Sequence, residues 1–97
     1  METLLDCICS DVIKEVTPSK IVAYGEKKNG DKLREVSLLV VVKGDPKEAE
    51  RRLYRSIDCD LAVNLLVYNE NDFSALEKDE TSYAYSIMSK GRVLYGA

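Results

Sequence analysis

The chain predicts one α/β domain of the mixed, α+β kind, a single small mixed sheet flanked by helices, spanning residues 1–97. Three observations carry that expectation. Leu38-Leu39-Val40-Val41-Val42 is an unbroken apolar run of strand length, as expected of a strand covered on both faces. Asp45-Pro46-Lys47-Glu48 then gives a strong helix start. Apolar spacing switches between helical and strand-like periods along the chain, with no internal repeat and no low-complexity segment.

From the N-terminus, Glu2 to Val16 reads as an amphipathic helix. Leu5, Ile8, Cys9, Val12, Ile13 and Val16 recur three and four residues apart, while Asp6, Ser10, Lys14 and Glu15 fall elsewhere. Thr17-Pro18 ends it. Lys20 to Tyr24 is a short strand. A glycine turn follows, from Tyr24-Gly25-Glu26 through Lys27-Lys28-Asn29-Gly30-Asp31, and Glu35 to Val42 is the second, central strand. Lys43-Gly44 breaks it. Asp45 is the expected N-cap, Pro46 the first helical residue and Glu48 the closing member of a capping box, with the helix reaching about Arg55. Leu61 to Tyr68 is a third strand, apolar except for Asn64. Asn69 to Asp72 supply turn and capping residues before a short helix at Phe73 to Leu76, another helix covers Ser82 to Met88, and Lys90-Gly91 leads into a last strand, Arg92 to Tyr95.

Composition narrows the function classes. A net charge of −3 argues against strong nucleic-acid binding, which depends on Lys and Arg releasing counterions from phosphates. No apolar run approaches the roughly 20 residues that span a bilayer, and the start lacks a basic segment followed by an apolar signal core, so the expected location is cytoplasmic. Cys7, Cys9 and Cys59 are an odd set, expected as buried or half-buried thiols. With no histidine, neither a Ser-His nor a Cys-His pair is available, and zinc would need thiolates and carboxylates alone. Arg51, Arg52 and Arg55, near Glu48 and Glu50, suit a helix face laced with ion pairs, and the six tyrosines suit partial core with wet hydroxyls.

The stretch Ile21 to Val42 resembles the minimal nucleotidyltransferase family, relatives of the polymerase-beta-type and aminoglycoside-modifying enzymes. That family closes its first strand with Gly-Ser and opens the second with two aspartates separated by one residue. Here Gly25 matches the glycine, Glu26 replaces the serine, Glu35 stands at the first aspartate and Ser37 replaces the second. The ending is similar too. An acidic, phenylalanine-bearing turn, Val67-Tyr68-Asn69-Glu70-Asn71-Asp72-Phe73, follows the third strand, and the segment from Ser82 passes through Lys90-Gly91 into Arg92-Val93-Leu94-Tyr95. The resemblance therefore covers almost the whole chain. It implies a nucleotidyltransferase-like fold, a nucleoside triphosphate held at Gly25, Glu26, Lys27 and Lys28, and two magnesium ions held by carboxylates. A third aspartate falls on the neighbouring strand, where Asn64 is the best match. The resemblance also implies an all-helical partner protein, as in toxin and antitoxin pairs; a homodimer is expected because so small a fold leaves a sheet edge or helix face uncovered.

The catalytic positions Glu35, Ser37 and Asn64 are thus degenerate. Residues two apart on a strand face the same way, so 35 and 37 would present adjacent ligands. Magnesium wants hard, anionic oxygens at about 2.0 to 2.1 Å, and Glu35 alone is a weak metal ligand. An amide at 64 cannot accept a proton, and Glu26 adds repulsion where a triphosphate would rest. The expectation is a catalytically inactive binding or regulatory module, antitoxin-like, with no cofactor. Two alternatives stay open. One is an active transferase of nucleoside monophosphate to a hydroxyl, using magnesium and a nucleoside triphosphate, with Glu26, Glu35 and Asp60 re-forming an acidic cluster. The other is an unrelated small ligand-binding module. The basic residues Lys27, Lys28, Lys32 and Arg34 suit either phosphate contact or simple solvation.

Overall fold

In the computed structural model, which describes residues 4–57 and 62–96, the apolar run at Leu38–Val42 lies inside a four-stranded sheet. The chain forms α1 (Leu4–Val16), β1 (Lys20–Asn29), β2 (Lys32–Val42), α2 (Pro46–Ser56), β3 (Ala62–Asn69), α3 (Glu70–Leu76), α4 (Tyr83–Lys90) and β4 (Arg92–Tyr95). The strand order is β3-β2-β1-β4. β1 is antiparallel to β2 and β4, whereas β2 and β3 are parallel. A parallel neighbour needs a crossover, and α2 supplies it. The sheet is mixed and helices flank it, as the sequence predicts.

Helices cover both faces. On one, Ile8 and Val12 of α1 and Ala49 and Leu53 of α2 pack on Ile21, Val36, Leu38, Val40 and Leu65. On the other, Phe73 of α3 and Ala84 and Ile87 of α4 pack on Val22, Leu39 and Val41. Successive residues of a strand face opposite ways, so every residue from Leu38 to Val42 is buried, which is why that run shows no alternation. Asp45 caps α2 by accepting from the Lys47 amide at 3.0 Å. The return bond from Glu48 that a capping box requires is not formed among the described residues.

Several expectations need correction. The segment from Gly25 to Asn29 is strand, not turn: β1 and β2 continue pairing to Asn29 and Lys32, and only Gly30 and Asp31 form the turn. Of these two, Gly30 takes positive φ (67°) and Asp31 does not, as the first position of a type II′ hairpin requires. Cross-strand pairing here overrides the weak β preference of Lys27-Lys28-Asn29. Cys7 is exposed and Cys9 half-buried, because α1 turns Ile8 and Val12 toward the sheet. Tyr54, Tyr83, Tyr85 and Tyr95 are exposed, leaving Tyr24 and Tyr68 as the half-buried pair. On α2 only Arg52 is ion-paired among the described residues, to Glu15 of α1 at 3.3 Å. Cys59, Asp60 and Leu61 lie outside the described residues. No helix among the described residues is long and apolar enough to cross a membrane.

Candidate functional site

A break in strand register builds the site. Ala23 pairs with Leu38, but Gly25 pairs with Ser37, so Tyr24 is an extra residue in β1. The bulge brings Tyr24 and Gly25 to the face covered by α3 and α4. Glu26 then lies opposite Val36 and Lys27 opposite Glu35. Alternation puts Glu35 and Ser37 on the same face as Leu39 and Val41, and the parallel register sets Ser37 beside Asn64. α3 and α4 cover Leu39 and Val41 but leave Glu35 and Ser37 only partly buried. The three degenerate positions therefore converge at an open stretch of sheet.

Gly25, Glu26, Lys27, Glu35 and Ser37 line a hollow of about 250 Å³. A Cβ at Gly25 would stand 3.5 Å from Ser37 Cβ and Oγ, so the glycine keeps the floor open without being required by its backbone angles. A second hollow, of about 200 Å³, is lined by Tyr24, Tyr83, Ser86, Ile87 and Lys90. Tyr24 borders it and packs edge-on against Tyr83, with ring centroids 6.2 Å apart. Burial, then Tyr83, raise the Tyr24 hydroxyl's pKa, with the hydrogen bond to Ser37 opposing. These flanking groups were missed in the sequence, since the Tyr24–Tyr83 contact joins distant segments without a shared motif.

Electrostatics centre on Glu35. Asn64 Nδ2 donates to its Oε1 at 2.7 Å, and Lys27 Nζ stands 3.4 Å from its Oε2. The Asn64 amide, and after it the Lys27 ammonium, hold the Glu35 carboxyl below the usual glutamate pKa. Asn64 Nδ2 also reaches Ser37 Oγ at a long 3.5 Å. The amide therefore serves as a donor where a catalytic aspartate would serve as an acceptor.

The other predicted residues scatter. Glu26 sits opposite Val36, a residue of the α1 and α2 core, and its carboxylate is bound by Arg92 at 3.1 Å. Glu26 borders the same hollow as Glu35, but its carboxylate is held by Arg92 beside the α1-side hollow, so that half of the re-formed acidic cluster does not assemble; Asp60 is outside the described residues. Lys28 pairs with Leu33 and, with Lys32, borders a separate hollow on the α1 side, together with Leu5 and Arg92. Only Lys27 of the basic set meets Glu35.

The donor set does not suit a pair of magnesium ions. Among the described residues no three His, Cys, Asp or Glu side chains gather as metal ligands, and both oxygens of Glu35 already have partners. The arrangement can bind a polar ligand through amide, hydroxyl and ammonium groups beside two tyrosine rings, but it offers no base to an acceptor hydroxyl beyond a carboxylate whose pKa is lowered. Comparison of the chain with protein-family models, with curated proteins and with solved structures gave no match.

Proposed function

We propose that this chain is a nucleotidyltransferase-fold protein whose metal site is degraded, and that it acts as a catalytically inactive binding or regulatory module, antitoxin-like, in the cytoplasm. The observation that carries the proposal is the Asn64–Glu35–Lys27 chain: a neutral donor and a cation occupy the carboxylate that a dication would need. A magnesium ion binding there would have to displace Lys27 and would gain a single anionic ligand, too little to replace its tightly held waters. The partner envisaged is an all-helical protein, with the open stretch of sheet beside Tyr24 and Tyr83 as the recognition surface; self-association as a homodimer is the other contact envisaged.

Calorimetry with magnesium and ATP tests this. The expected result is no magnesium-dependent binding by the parent. The double change Ser37→Asp, Asn64→Asp restores two carboxylates beside Glu35 and is expected to create metal binding; Glu26 can be left alone because Arg92 holds its carboxylate. Metal-dependent ATP binding by the parent, followed by nucleotide transfer that is lost in Glu35→Ala, would establish the alternative, an active magnesium-dependent nucleotidyltransferase.

A further inference from the structure

We infer that two copies of this chain join through β3, edge to edge and antiparallel, about a two-fold axis perpendicular to the sheet. The inference does not rest on the proposed function, since it uses the outer main-chain edge of β3 and the outer side of α2 rather than the open sheet face at Glu35 and Ser37.

β3 is an edge strand of eight residues, Ala62–Asn69, with no charge and no proline along it. Natural sheets blunt such edges with charged residues, prolines or short strands, and this one has none of these. The opposite edge, β4, has only four residues and begins with Arg92. The Leu65 N–H donates to Tyr54 Oη at 3.2 Å, away from β2. By the alternation of a parallel ladder, Val63 and Val67 turn their main-chain groups the same way, toward the open side.

The same hydrogen bond shows which side of α2 overlooks this edge. Tyr54 marks it, and Arg51, Glu50 and Lys47, three, four and seven residues earlier, share that stripe. α1 occupies the other side, tied by the Arg52–Glu15 pair. Among the described residues, Lys47, Glu50 and Arg51 make no ion pair. Read antiparallel against itself, Lys47-Glu50-Arg51-Tyr54 is self-complementary: Glu50 meets the partner's Arg51, twice by symmetry, and Lys47 approaches the ring of the partner's Tyr54.

The strand and helix registers agree on where the axis falls. α2 runs back along β3, and the midpoint of Glu50 and Arg51, through which the axis passes, lies about 5 Å along the helix from Tyr54, or about one and a half strand residues beyond Leu65. That puts the axis near Leu66, where Leu65 and Val67 exchange main-chain bonds with the partner's Val67 and Leu65. Tyr54 yields the Leu65 amide as the strands pair. The product is a continuous eight-stranded sheet with the two α2 helices side by side.

Light scattering and sedimentation from micromolar to millimolar concentration read the outcome. The parent is expected to move from the 10.9 kDa chain toward twice that mass. Glu50→Arg, at a half-buried position, and Arg51→Glu, at an exposed one, made singly, should each weaken the dimer at least about tenfold by facing like charges across the axis. Mixing the two variants should restore it, because every contact is then between opposite charges. Val67→Pro, which removes an outward N–H and leaves the β2 ladder intact, should be monomeric with an unchanged circular dichroism spectrum; if it fails to fold, the charge reversals decide. A parent that stays monomeric at millimolar concentration overturns the inference. So does a dimer indifferent to both reversals, or one that mixing does not restore.

Discussion

Glu35 keeps its charge to lower pH than an ordinary glutamate because the Asn64 amide donates to it and the Lys27 ammonium lies beside it. A depressed folded-state pKa favours the folded form above the unfolded pKa, and that contribution fades as pH falls through the folded value. The sign can be measured by following the carboxyl carbon in an NMR titration. Asn64→Ala and Lys27→Ala should each raise the Glu35 pKa, because each removes a contact that lowers it. Asn64→Asp should raise it further, since a like charge then replaces a donor. A Glu35 pKa that ignores all three changes would mean that the contacts do not govern the carboxylate. Glu35, Ser37 and Asn64 lie together as the sequence led one to expect. Strand alternation alone brought residues 35 and 37 to one face. Glu26 was misplaced because the bulge at Tyr24, a single extra residue, reverses which face each following residue takes, and nothing in Tyr24-Gly25 announces it.

Among the elements, the junction of α4 and β4 is tight at Gly91. Gly91 has φ −81°, a value any residue adopts, so it reads as an ordinary helix stop. Its requirement is space: an added Cβ would stand 2.6 Å from Val22 Cγ1 and 2.7 Å from the Ile87 carbonyl oxygen. Gly91→Ala should therefore destabilise the fold by about 1 to 3 kcal/mol in urea unfolding, the usual cost of overpacking. Gly25→Ala, which meets only ordinary contacts, should cost far less. The Asp45 cap predicts a second number. Asp45→Ala frees the Lys47 amide and should cost about 1 kcal/mol by the same measurement. The start of α2 was legible because Asp45-Pro46 carries its capping chemistry locally; α3 instead begins at Glu70, three residues before Phe73, because Asn69 accepts from the Asp72 amide as its cap, and Ser82 caps α4 rather than opening it. The hairpin from Gly25 to Asn29 was not legible, because those residues are strand only through their pairing with β2, a contact that local preference does not encode.

For the molecule as a whole, the central position of β2 followed from Leu38–Val42, since five consecutive apolar residues are stable only between two covered faces. The same geometry explains the cleft: the helices on one face leave the start of β2 partly open, and Glu35, Ser37 and Asn64 line up there across two strands. What sequence could not supply was the state of that site, whose meaning depends on who donates to whom. Leu53 links the two scales, being wholly buried where α2 crosses the sheet; Leu53→Ala should cost about 2 to 5 kcal/mol and loosen the crossover that sets β3, and with it Asn64, beside Ser37. Isothermal calorimetry of magnesium and ATP binding, run on the parent and on Ser37→Asp, Asn64→Asp side by side, tests the central claim most directly. The parent should give no metal-dependent heat and the double variant saturable binding; metal-dependent ATP binding by the parent, abolished by Glu35→Ala, would show the site intact.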